Sequence, residues 1–163
     1  MKTIFSILFI MAIVAVFLTS CGQGSNGGNK ATADTVKIKA AEAPLVVIDT
    51  FSTFPPEIDG CSCYFSADSK AFQAKAYIYI SDFDKISFLK INGTLTRFTL
   101  VETKVVSQTK SIITGKNDNY DITVEVNSTK QSGDETTEKT GTITIKDKSG
   151  KTITKTFYGE CGC

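Results

Sequence analysis

Beyond residue 44 the apolar positions of the chain recur at every second residue. Tyr120, Ile122, Val124 and Val126 alternate with Asp121, Thr123, Glu125 and Asn127, a pattern that buries one face and wets the other only in a β-strand. The same period, rich in Thr, Val, Ile, Tyr and Phe, predicts strands over Leu45–Thr50, Ala76–Ser81, Lys85–Ile91, Thr94–Thr103, Val105–Ile113, Gly141–Lys146 and Thr152–Tyr158. Asn92-Gly93 predicts a two-residue hairpin turn, because both central residues of that turn need a positive φ. Lys148-Ser149-Gly150 suits a longer hairpin loop with glycine in the left-handed position. Only Asp68–Lys75 is suited to a short helical turn. Short strands with such regular punctuation predict an all-β fold: a small antiparallel β-barrel or β-sandwich of about seven to eight strands. It would fill residues 44–163, a usual size for a single core.

Two segments precede that domain. Behind Lys2, Ile4 to Leu18 is an almost unbroken apolar run, shorter than the roughly 20 residues of a spanning helix. It ends in Leu18-Thr19-Ser20-Cys21, an aliphatic residue, two small residues and a cysteine. This pattern resembles the lipobox of bacterial lipoproteins. The resemblance implies that residues 1–20 are a signal peptide removed on export, and that the Cys21 thiol accepts the lipid. The plainer alternative is an ordinary secretory signal, or an uncleaved anchor, with a cysteine there by chance. Residues 21–43 then make the lipidated cysteine and a flexible tether, since their glycine-rich, polar start buries too little apolar surface to order itself. Gly22 rather than aspartate follows the cysteine. By resemblance to proteobacterial sorting rules, this points to the cell envelope, at the outer membrane and facing the periplasm.

Charge and composition narrow the chemistry. Taking Lys2 from the 18 basic residues leaves as many as the 17 acidic ones, so the mature chain is neutral. No basic cluster offers a footprint for nucleic acid or for anionic lipid. The chain has no histidine and no tryptophan, which excludes serine–histidine triads, cysteine–histidine pairs, histidine metal ligands and covalent c-type haem.

Four cysteines remain, in Cys61-Ser62-Cys63 and Cys161-Gly162-Cys163. Residues two apart in a strand share a face, so each motif presents two sulfurs to one surface. On adjacent antiparallel strands one register sets Cys61 opposite Cys163 and Cys63 opposite Cys161. Opposed Cα atoms are then about 4.5–5.5 Å apart, within reach of a disulfide. The parallel pairing, Cys61–Cys161 with Cys63–Cys163, stays open. Three readings follow. An exported small domain with an even number of cysteines is the setting for structural disulfides. A second reading makes the same four cysteines a copper(I) or zinc site. Zinc motifs usually leave two or more residues between cysteines, and Glu160 beside Cys161 opposes a cluster of thiolates. A third is a redox-active pair, yet neither motif holds an electropositive residue to lower a thiol pKa. Two structural disulfides, with no cofactor, are the expected state.

Weaker signals are read as structure. Asn117-Asp118-Asn119-Tyr120-Asp121 spaces oxygen-bearing side chains as a calcium loop would, but lacks its glycine and its bidentate acid; a hairpin turn fits better. Asp82 and Asp84 read as turn residues rather than an acid–base pair. Phe51, Phe54, Pro55 and Pro56 make a stiff apolar approach to the first cysteine motif, either a recognition loop or a lid packed under the disulfides. The lipobox, the tether and the segments FPPEIDGCSCYFS (Phe54–Ser66) and FYGECGC (Phe157–Cys163) resemble a group of small bacterial lipoproteins. That resemblance brings no activity and no functional residue with it. In architecture alone, a disulfide-tied barrel also resembles lysozyme-inhibitor lipoproteins. The expectation is a membrane-anchored, non-enzymatic binding or structural module. Its partners are the membrane, through the lipid, and an envelope protein or small ligand.

Overall fold

The computed structural model describes residues 46–163. The expected signal peptide, Cys21, the tether and the first two residues of the expected domain lie outside the described residues. Ten elements follow: β1 (Ile48–Asp49), β2 (Ser62–Ser66), α1 (Ser69–Gln73), β3 (Tyr77–Ser81), β4 (Ile86–Ile91), β5 (Thr94–Val105), β6 (Ser111–Lys116), β7 (Tyr120–Gln131), β8 (Thr136–Asp147) and β9 (Thr152–Gly162). Strands β2 to β9 pair in the order β4-β3-β2-β9-β8-β7-β6-β5, and β5 pairs back onto β4. Every pairing is antiparallel, so the eight strands close into a barrel rather than a sandwich.

β1 is the extra strand. It pairs with β4 through Ile48↔Ile91 and Asp49↔Lys90, and just beyond it Phe51 bridges to Tyr77 of β3. β3 and β4 pair only at Ile80↔Phe88 and Ser81↔Ser87, so β1 fills the gap where they part. Ile48 is buried in the core, and the Lys155 ammonium donates to its carbonyl oxygen at 2.7 Å. A short strand, one isoleucine and one cation thus plug that pole of the barrel.

An eight-stranded barrel is just wide enough for side chains to fill it, and aromatic rings do so here. Phe65 stacks on Phe157 with ring centroids 4.2 Å apart and on Tyr79 at 5.3 Å. Phe65 lies opposite Gly159, and Phe157 opposite Gly141. A Cβ at Gly159 would overlap the Tyr64 carbonyl oxygen, and one at Gly141 would overlap that of Glu125. The missing side chains let the two rings lie flat against neighbouring strands. Leu89, Phe98, Ile122, Val124, Ile143 and Ile145 complete the core.

The turn signals appear as expected. Asn92 and Gly93 both have positive φ, 49° and 79°, and Gly150 has φ 86°. Strands β5, β8 and β9 run longer than expected, and one expected strand is split. The expected strand over Val105–Ile113 is instead the end of β5, a turn and the start of β6. Val106 N–H donates to Lys110 O at 2.9 Å, closing a hairpin across the polar stretch Ser107–Ser111 that separates the valine and isoleucine pairs. β3 also departs from strict alternation. Phe65↔Tyr79 is followed by Ser66↔Tyr77, so β3 carries one extra residue, Ile78. Such a bulge resets the side on which residues point. Ile78 and Tyr79 both join the core, while Tyr77 turns to rings on the outside of the barrel.

Candidate functional site at the disulfide seam

The seam between β2 and β9 gathers the residues singled out by sequence. Cys63 pairs with Cys161 and Ser62 with Gly162, the antiparallel register derived from the spacing. Two disulfides follow, Cys61–Cys163 and Cys63–Cys161, each with Cα atoms 4.0 Å apart. The inner bond lies in the core, with Cys63 and Cys161 only 6% and 3% exposed. The outer bond sits at the rim, where Cys61 is half-buried and Cys163 exposed. All four sulfurs are therefore in disulfides rather than thiolates. Among the described residues no group of three or more Asp, Glu, Cys or His is placed to hold a metal ion. Glu160 does not face Cys161. Alternation sends its side chain to the opposite surface of β9, so its charge does not act on the sulfurs as sequence adjacency implied.

That opposite surface holds a second cluster, absent from the sequence reading. Asp68 caps α1 by accepting the Ala71 N–H at 2.8 Å, which fixes a single turn of helix over the outer face of β2 and β9. Phe72 of α1 stacks on Tyr64, with ring centroids 5.5 Å apart and planes 8° apart, and meets Tyr158 edge-on. Phe54 packs edge-on against Tyr64 and Tyr77, Pro55 is buried, and Glu57 pairs with Arg97 at 2.8 Å. The proline-rich approach is thus a lid over the outer face of β2 and β3 rather than a layer under the disulfides. Beneath these rings Glu138 and Glu160 stand directly opposite each other on β8 and β9. Each accepts a hydrogen bond from a phenol: Tyr158 donates to Glu138 at 2.8 Å and Tyr64 to Glu160 at 3.4 Å. The bond to Glu138 raises the Tyr158 pKa; burial, then the Glu160 charge, raises that of Tyr64. Both phenols stay neutral donors, and neither is activated as a nucleophile.

Inside the barrel, hydroxyl groups are buried with incomplete bonding. Tyr79 Oη and Ser87 Oγ have no well-formed hydrogen bond among the described residues. Burial raises the Tyr79 pKa, and the nearby Ser81 and Ser87 hydroxyls partly offset that rise. Lys139 lies opposite Gly159 and Thr129, on the inward row of β8, and burial lowers its pKa.

The weaker candidates resolve into turns. Asp82 accepts the backbone N–H groups of Lys85 and Ile86 at 2.9 and 2.8 Å, closing the β3–β4 loop; Asp84 is a neighbouring loop residue. Asn117 accepts from Asn119 and Tyr120 at 2.8 and 2.9 Å, the Asx geometry of a hairpin turn. The outer aromatic cluster escaped sequence reading because its members come from β2, β8, β9 and α1 with no shared spacing. The barrel has an open groove beside β1, about 520 Å³, lined by Phe51, Thr53, Lys75, Lys90 and Leu95 among others. No protein-family model, no curated protein and no solved structure matches this chain.

Proposed function

We propose that this chain is an exported lipoprotein, lipidated on Cys21, whose disulfide-tied barrel serves as a non-enzymatic binding or structural module of the cell envelope. The observation that carries the reading is the pair of disulfides joining strands that lie about 100 residues apart in sequence. Such bonds form and persist in oxidising compartments outside the cytosol. That agrees with an apolar leader ending in Leu18-Thr19-Ser20-Cys21. The lipid supplies the contact with the membrane, and Gly22 supports the outer membrane, periplasmic side. The lack of histidine favours binding over acid–base or nucleophilic catalysis, with an envelope protein or a small ligand as partner.

Radiolabelled palmitate fed to cells expressing the full chain tests the anchor. Label is expected in the wild-type band and lost in Cys21→Ser. An unlabelled wild-type chain found in the soluble periplasmic fraction would remove the lipid from the proposal. A measured hydrolase or transferase activity above background, abolished by a point change in the barrel, would overturn the non-enzymatic reading.

A further inference from the structure

Among the described residues, the hairpin of β5 and β6 leaves one edge of the barrel without a partner strand. β4 accompanies β5 only as far as Ile86↔Thr99, and the Leu100 N–H makes a last bond to Lys85 O at 2.8 Å. Beyond it Val101 is a bulge residue between Leu100 and Glu102, and among the described residues Glu102 to Val105 pair on one side alone, with β6, through Glu102↔Thr114, Thr103↔Ile113, Lys104↔Ile112 and Val105↔Ser111. This edge is fully wet: Val101 is 59% and Val105 74% exposed, and Glu102, Thr103 and Lys104 are exposed between them. An exposed edge with free N–H and C=O groups is a template for another strand.

The sequence of the edge says which strand. Glu102-Thr103-Lys104 is complementary in charge to itself read backwards. Paired antiparallel about Thr103, one copy sets Glu102 against Lys104 of the other, a contact that occurs twice, and the bulge at Val101 ends the register. The backbone agrees. Val106 gives its N–H to Lys110 on the β6 side, so alternation points Lys104 and Glu102 to β6 and turns the N–H and C=O of Thr103 and Val105 to the free edge. Thr103 then meets its own copy in a pair that exchanges both hydrogen bonds, as an isologous two-fold interface requires. We infer that this protein forms a symmetric dimer through β5–β5 pairing centred on Thr103. The inference does not depend on the lipid anchor.

The test is sedimentation of the full chain in detergent, together with cysteine cross-linking in cells. A dimer is expected, weakened about tenfold or more by Glu102→Lys, which opposes like charges at both symmetric positions, and restored by adding Lys104→Glu. Thr103→Cys should give a reductant-sensitive covalent dimer, because the paired Cα atoms would lie about 5.5 Å apart. Lys104→Cys should not, since its own copy lies diagonally across the pair. A chain that sediments as a monomer would overturn the inference. So would a dimer indifferent to both charge variants, or Thr103→Cys trapped only on a different envelope protein.

Discussion

The β2–β9 seam and the free end of the β5–β6 hairpin point toward the same pole of the barrel and are built in opposite ways. The seam joins residues 98 and 102 positions apart. Its inner face carries stacked phenylalanines, its outer face carries α1 and the Phe54 lid, and two covalent bonds cross it. The hairpin joins near neighbours across a turn, and beyond Leu100 its β5 strand is exposed throughout. The difference follows from chain entropy. Closing a long loop costs more than closing a short one, so the seam needs packing on both faces and covalent ties. A hairpin needs only its ladder, which leaves its surface free for valines with no role in the core.

The largest effect should come from untying the seam. Replacing all four paired cysteines by serine removes the cross-link on a loop of about 100 residues, worth about 4.7 kcal/mol in the chain-entropy model. Guanidinium unfolding should show a midpoint lowered to match. Either disulfide alone keeps the loop closed, so the single-bond variants separate entropy from burial. Cys63→Ser with Cys161→Ser leaves two hydroxyls in the core and should cost about 2–3 kcal/mol. Cys61→Ser with Cys163→Ser, at the rim, should cost under about 1 kcal/mol. Equal losses from the two variants would break the contrast between inner and outer bonds.

Gly159→Ala drives a Cβ onto the Tyr64 carbonyl oxygen and should lower stability by about 3 kcal/mol or abolish folding. Full stability in that variant would mean the seam is looser than its register implies. At the opposite pole Ile48→Ala opens a cavity under the plug and should cost about 2–4 kcal/mol in thermal or denaturant unfolding. On the hairpin, Val105→Ala should change the stability of the monomer by no more than about 0.5 kcal/mol. A large loss there would show that the hairpin is held by more than its ladder.

A further expected effect concerns pH. Burial raises the Tyr79 pKa above 10.0, so the phenol is neutral in folded and unfolded chains below that value, where its contribution to stability is fully present. Above pH 10.0 the unfolded chain loses its proton first and stability falls as pH rises toward the folded pKa. Tyr79→Phe should flatten that alkaline limb in urea titrations. At neutral pH it should be neutral or stabilising by up to about 1 kcal/mol, since it deletes a buried hydroxyl without a well-formed bond. A marked loss at neutral pH would show that the hydroxyl is bonded after all.

Much of this was legible in the sequence, for local reasons. Asn92-Gly93 and Gly150 announced their turns because only some residues accept a positive φ. Asp68–Lys75 announced a short helical turn, and the period of Tyr120 to Asn127 announced a strand. The cysteine register was legible too, because two C-x-C motifs on antiparallel strands allow few pairings. The Val105–Ile113 expectation failed because the turn at Ser107, Gln108 and Thr109 lacks the glycine or proline that marks most turns, although five polar residues from Ser107 to Ser111 interrupt the apolar pattern. The outer cluster of Tyr64, Tyr158, Glu138 and Glu160 was invisible because its members meet only after the barrel closes.

What the sequence by itself determined was local: period-two strands, their turns, and a set of cysteines suited to an antiparallel seam. Tertiary structure decided that β5 returns to β4 and closes a barrel instead of a sandwich, and that β1 plugs one pole. It also decided, through the bulge at Ile78, that Tyr77 faces outward. The physical reason is that conformational preference and side-chain period act within a few residues. Closure, plugging and register at a bulge depend on partners brought together from far along the chain, whose fit no single segment encodes.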